Sequence, residues 1–227
     1  MKRSWTIFIT TVLLMLSAAG CLQGSGANVI SPHSTETETA EPLRVVASFY
    51  PMLDFTAKVG GELITLSNMV PPGTEAHGWE PTAQDIVVLE EADVFIYNGA
   101  GMEHWVEDVL EALSNDALMV LETAEGLELL ENHGHHDHGH DHDHEHGEFD
   151  PHVWLDPLLA KQQMASIAET LATADPENAA TYQANYEHHA ASFDALDAEF
   201  REGLADAPRR DIVVTHEAFG YLAHRYD

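Results

Sequence analysis

The stretch Leu43-Arg-Val-Val-Ala-Ser-Phe-Tyr-Pro-Met-Leu-Asp-Phe-Thr-Ala-Lys-Val-Gly-Gly-Glu-Leu-Ile-Thr-Leu-Ser-Asn68 reads as strand, helix, strand. Residues 43–48 form the kind of apolar run that suits a strand buried on both faces. Phe49-Tyr-Pro-Met52 reads as a turn, residues 53–59 as a helix stopped by Gly60-Gly61, and residues 63–68 as a second strand. Downstream, Thr82 caps a helix with Asp85 as its capping-box partner, and Ile86 and Leu89 mark the inner face. Residues 93–98 predict a third strand, ended by Gly99-Ala-Gly101; residues 103–113 predict a helix and 118–121 a short strand. Strands and helices alternating at this spacing predict an α/β fold on a parallel sheet.

Further on, Asp156 and Pro157 look like the cap and first residue of a helix whose inner face is Met164, Ile167 and Leu171. Asp175-Pro176 breaks it. A longer helix follows, with Tyr182, Tyr186, Phe193, Leu196, Phe200 and Leu204 recurring at helical steps. Pro208 ends that one. Residues 211–215 predict a new strand with His216 at its carboxyl end, and a helix begins at Glu217. One strand and one helix cannot build a core of their own. Either the chain is a fragment, or something else completes this last part.

The chain has 227 residues, with 9 basic against 39 acidic side chains and a net charge of −30. Nucleic acid and anionic lipid are poor partners for such a field, which suits a cation. Most of the carboxylates read more plainly as a solvated surface. Cys21 is the only cysteine, so no intrachain disulfide and no four-cysteine zinc knuckle is possible. A basic start, a short apolar stretch and small residues before Cys21 read as a secretory signal ending at a lipidated cysteine (residues 1–21), or else as a plain signal peptide with an incidental cysteine. Residues 22–42, rich in Ser, Thr, Glu and Gly, read as a disordered tether.

Histidine is the conspicuous residue type. Eight of the sixteen, His133, His135, His136, His138, His140, His142, His144 and His146, fall in one tract with Asp and Gly (133–147). The tract has no apolar content and predicts a loop of weak, interchangeable metal sites, or else a tolerated low-complexity insertion. Three others have distinctive settings: His77 in Pro72-Gly-Thr-Glu-Ala-His-Gly-Trp-Glu-Pro81, His152 in Asp150-Pro-His-Val-Trp-Leu-Asp-Pro157, and His216 in Val213-Val-Thr-His-Glu-Ala-Phe-Gly-Tyr221. Ligands in open α/β sheets gather beyond the carboxyl ends of strands, where His77 and His216 are expected. Each also has a carboxylate or Trp close by that can orient its ring. Spacings of 75 and 64 residues settle nothing by themselves.

Together these phrases resemble the zinc- and manganese-binding lipoproteins of ABC importers, the cluster A-I (family 9) solute-binding proteins. The likeness runs in order through the lipobox, the opening strand, the His77 loop, the His-rich insertion and the His152 and His216 phrases. One departure is Ala76, where a proline commonly precedes the first ligand. The resemblance implies two α/β lobes joined by a long helix (here 182–204): a metal-binding first lobe (43–156), helices that include the bridge (157–207) and the start of a truncated second lobe (208–227), with metal between the lobes on His77, His152 and His216. It also implies a permease partner and a monomeric protein held on the outer face of the cytoplasmic membrane through Cys21. Manganese-selective relatives tend to carry glutamate at the third position, so His216 favours Zn²⁺ over Mn²⁺ as cargo. The family's fourth ligand, a late carboxylate, lies beyond residue 227, and water can complete a tetrahedron. Zinc needs neutral imidazole, so affinity should fall as pH drops through about 6.5.

Other readings remain at this stage. A surface metal buffer or adhesin without transport would carry the same motifs, as would a manganese importer or a non-functional remnant. An enzyme is disfavoured: His216-Glu217 starts a metalloprotease-like pattern, but Gly220 stands where its second histidine belongs.

Overall fold

A computed structural model describes residues 41–132 and 147–227. The signal segment with Cys21, the tether up to residue 40 and the tract from His133 to His146 lie outside the described residues.

Four strands are described, β1 (Leu43–Ala47), β2 (Ile64–Asn68), β3 (Val94–Tyr97) and β4 (Met119–Glu122), all paired in parallel in the order β2-β1-β3-β4. Helices α1 (Tyr50–Gly60), α2 (Ala83–Glu90) and α3 (Val106–Ala112) fill the crossovers, and α4 (Pro157–Ala174), α5 (Ala179–Ala205) and α6 (Gly220–Tyr226) follow. The alternation of strand side chains separates two apolar layers. Val45, Ala47, Val94 and Ile96 face Met52, Phe55 and Val59 of α1 and Met164, Ile167 and Leu171 of α4. Val46 and Phe95 face Leu89 of α2 and Trp105, Val106 and Val109 beside and within α3. Both faces of the sheet are thus covered, which is why its central strands read as unbroken apolar runs.

The first crossover differs from the sequence reading in one respect. Residues 50–52 are the opening turn of α1, not a separate turn, with Pro51 in the first helical positions. Proline fits there because the first helical N–H groups have no partner to lose. The Thr82–Asp85 capping box opens α2 as expected: both the Thr82 N–H and its hydroxyl donate to Asp85 Oδ2 at 2.7 Å. Asp156 caps α4, accepting from the N–H groups of Leu158 at 2.8 Å and Leu159 at 3.2 Å.

Helix α5 packs its first half on this body. Tyr182 is fully buried, Asn185 donates to the Val59 carbonyl at 2.8 Å, and Phe193 meets Phe55 edge-on at 5.9 Å. Beyond Phe193 it is largely exposed, touching α6 through the stacked rings of Phe200 and Tyr226.

The expected strand at 211–215 does not form. Those residues have no helix or strand assignment, and Val213 is 99% exposed. A strand needs a neighbour to take its N–H and C=O groups, and among the described residues none lies beside this segment. His216 therefore sits in an irregular segment and not at a strand end, and α6 begins at Gly220, three residues later than the sequence reading. Among the described residues no helix is long and apolar enough to cross a membrane.

Candidate metal centre

The carboxyl edge of the sheet carries a buried polar network. Glu103 accepts from the Ser48 hydroxyl at 2.6 Å and from the N–H groups of Asn98 and Gly99 at 2.9 and 3.0 Å. Ser48 and Asn98 follow β1 and β3, the point where the strand order reverses and open α/β sheets place their ligand sites. Burial pushes the Glu103 carboxyl up to about 7, although its hydrogen bonds pull the other way. Gln163 of α4 donates to Asn98 Oδ1 and Thr123 Oγ1, both at 2.9 Å. Asn98 in turn donates through Nδ2 to the Pro151 carbonyl at 2.9 Å. The network thus ends on the residue before His152 and ties it to the sheet.

His152 is 5% exposed. Its Nδ1 lies 2.7 Å from Asp150 Oδ1, which also accepts the His152 backbone N–H at 3.0 Å. A carboxylate can only accept, so Nδ1 carries the proton and the Nε2 lone pair points outward. The rings of Phe49 and His152 lie 5.0 and 5.4 Å from that of Trp154, which wedges the phrase in place.

His77 arrives from the loop between β2 and α2. Glu75 stiffens that loop by accepting the N–H groups of His77 at 3.1 Å and Gly78 at 3.2 Å. Burial pushes the Glu75 carboxyl up, but these bonds and the neighbouring imidazoles outweigh it and hold it below its ordinary value. His216 comes from the irregular segment before α6. The Nε2 atoms of His77 and His216 each lie 3.1 Å from Nε2 of His152. One ligand nitrogen from each of the three rings falls within 4.8 Å of the other two.

This convergence has a chemical consequence. With its proton on Nδ1, His152 Nε2 can accept a single N–H and cannot donate, so three nitrogens meeting there are not satisfied by hydrogen bonding among themselves. A tetrahedral cation with metal–nitrogen bonds of about 2.0–2.1 Å sets its nitrogens about 3.3–3.4 Å apart, close to the 3.1 Å that separates His152 Nε2 from each of the other two. Burial, then the neighbouring His152 imidazole, lowers the pKa of His77, which favours the neutral form a metal needs. All three histidines singled out in the sequence are brought together, from parts of the chain 75 and 64 residues apart. The eight histidines from His133 to His146 lie outside the described residues. Their stem is described: Glu131 and Phe149 form an antiparallel bridge, and Asn132 donates to the Glu148 carbonyl at 2.9 Å, on the rim of the same cleft.

Sequence reasoning missed Glu103, Asn98 and Gln163, and also Tyr221 and Arg225, which hold α6 onto the His152 phrase. Of these, Asn98, at the end of an apolar run and before a glycine, and Tyr221, closing the His216 phrase, stood in places that sequence could have marked.

Comparison with known proteins bears on what this centre is for. The family model of the zinc-uptake complex component A, periplasmic (ZnuA), matches residues 45–227. A putative metal-binding protein of Treponema pallidum is 38% identical over 217 residues, 94% of this chain and 68% of that protein. The high-affinity zinc uptake system protein ZnuA of Bacillus subtilis is 33% identical over 228 residues, 100% of this chain and 70% of that protein. The zinc-bound crystal structure of the ZnuA-like domain of Streptococcus pneumoniae AdcA superposes with a TM-score of 0.71 at 31% identity, covering 82% of this chain and 64% of that one. The chain thus spans about two thirds of the length of these relatives.

Proposed function

We propose, starting from the fact that this chain belongs to the ZnuA family of zinc-uptake components, that it captures Zn²⁺ outside the cytoplasm on His77, His152 and His216 and hands it to the permease of an ABC importer. The observation that carries this reading is that the Nε2 atoms of His77 and His216 each lie 3.1 Å from Nε2 of His152, whose tautomer Asp150 fixes. Three neutral nitrogens suit zinc better than the harder manganese, and a water molecule can take the fourth position. The chain binds and delivers its cargo and does not transform it. Helix α5 serves as the bridge toward a second lobe, and a lipid on Cys21 keeps the monomeric protein at the membrane surface.

Zinc titration in competition with a chelator tests the ligand set. His77→Ala, His152→Ala and His216→Ala should each weaken binding by more than the roughly 10–100-fold typical of losing an outer partner. His152→Ala should be the most severe, because its Nε2 neighbours both other nitrogens. Any one variant that binds zinc as tightly as the unchanged chain removes that residue from the site.

A further inference from the structure

His216 occupies a segment, residues 207–219, with no helix or strand of its own. Its Nε2 nevertheless lies 3.1 Å from that of the buried His152. Helix α6 explains how. Gly220 brings the start of the helix against the Asp150 carboxylate so closely that a Cβ there would fall 2.5 Å from Oδ2. Tyr221 is 2% exposed; its hydroxyl donates to the Asp150 carbonyl at 2.7 Å and accepts the Leu130 N–H at 3.1 Å. Arg225 Nε donates to Asp156 Oδ2 at 2.6 Å, while Oδ1 of the same buried carboxylate caps α4. Residues of α6 therefore hold both ends of the 150–156 phrase, with His152 between them. One of those ends, Asp150, is also the acceptor for His152 Nδ1.

We propose that Tyr221 and Arg225 are positioning residues of the metal centre, latching the third imidazole to the phrase that carries the second. The proposal rests on the three-imidazole reading above. It makes the placing of His216 a property of α6, not of the exposed loop before it. Binding energy is best used when ligands are held in place before the metal arrives, and a loop as open as 211–215 cannot do that alone. If the same contacts only stabilised the fold, they would affect zinc equally whether or not His216 were a ligand.

That difference sets the experiment. Zinc affinity of the full chain is measured by chelator competition below one equivalent of metal for Tyr221→Phe and Arg225→Met, alone and each combined with His216→Ala. Each single variant should weaken binding roughly tenfold, the low end of the range for outer-shell partners. In the His216→Ala background neither should weaken it further. With Co²⁺ as the probe, the visible d–d band of Tyr221→Phe should move toward that of His216→Ala, since the band reports the donor set and its geometry. Tyr221→Phe changes one oxygen atom and Arg225→Met one ion pair, so the two act as independent checks should either unfold the chain. Single variants that bind as tightly as the unchanged chain overturn the proposal, as does the same fold-loss with and without the His216 imidazole. If His216→Ala itself leaves affinity unchanged, the three-imidazole reading falls and the latch falls with it. If His216→Ala weakens binding and the effects are simply additive, only the latch falls.

Discussion

At the scale of single residues, the centre depends on groups that hold other groups. Asp150 fixes the tautomer of His152, and Asn98 holds the carbonyl just before it. Behind Asn98 stands Glu103, whose carboxyl burial raises to about 7 against an ordinary 4.5. The folded chain therefore keeps a proton on Glu103 in a range where the unfolded chain has released it. The stability this contributes is fully present below about pH 4.5 and is lost as pH rises through about 7, by roughly 3 kcal/mol. Glu103→Gln, which mimics the neutral carboxyl, should lack that slope. Urea unfolding of the zinc-free chain at pH 5, 6.5 and 8 checks it: unchanged chain minus variant should fall by about 2–3 kcal/mol across the series. Subtraction also removes the opposite trend from His77, whose lowered pKa costs stability as pH falls. A flat difference would mean that Glu103 ionises normally inside the fold.

Elements were more legible than contacts. The apolar runs at 43–48 and 93–98 announced β1 and β3, and the Thr82–Asp85 and Asp156–Pro157 pairs announced two helix starts, because these are local signals with local causes. Residues 211–215 carried an equally good strand signal and did not form a strand, because pairing is not local. The candidate ligands were legible only because each sat in a motif of a family that the chain resembles. The bonds that orient them join residues 53, 71 and 69 apart, as in Asn98–Pro151, Tyr221–Asp150 and Arg225–Asp156, and no periodicity points across such gaps. Glycine at the end of β3 was legible as punctuation, and the structure adds its reason. Gly99 has φ of 82°, and a Cβ there would collide with the Glu122 carboxylate, which itself accepts from the Tyr97 hydroxyl at 3.0 Å. Gly99→Ala should cost about 2 kcal/mol or more, from left-handed strain of about 1–2 kcal/mol plus the displaced carboxylate. A shift of the thermal unfolding midpoint by less than a degree would show that the turn has another conformation available.

At the scale of the whole molecule, a net charge of −30 has the sign that suits a cation, and the cleft where three imidazoles meet supplies the donors to hold one. Where the His-rich tract belongs in it follows from its stem. The Glu131–Phe149 bridge, the Asn132–Glu148 bond and the Asp150 N–H to Leu130 carbonyl bond at 2.8 Å close the chain on itself before the metal centre is reached. The last of these fixes the backbone at Asp150, so the stem itself helps to hold the centre's orienting carboxylate. Excision of residues 134–146, leaving His133 joined to Gly147, should therefore spare the high-affinity site while lowering the total number of zinc ions bound. Calorimetric zinc titration separates the two, since the tight phase should keep its midpoint and the weak phase should shrink. The converse outcome, loss of the tight phase with the stem intact, would make the tract part of the centre. Retention of both phases would mean that its histidines bind no zinc at all. The first outcome alone agrees with a collector beside a pocket that His77, His152 and His216 build without it.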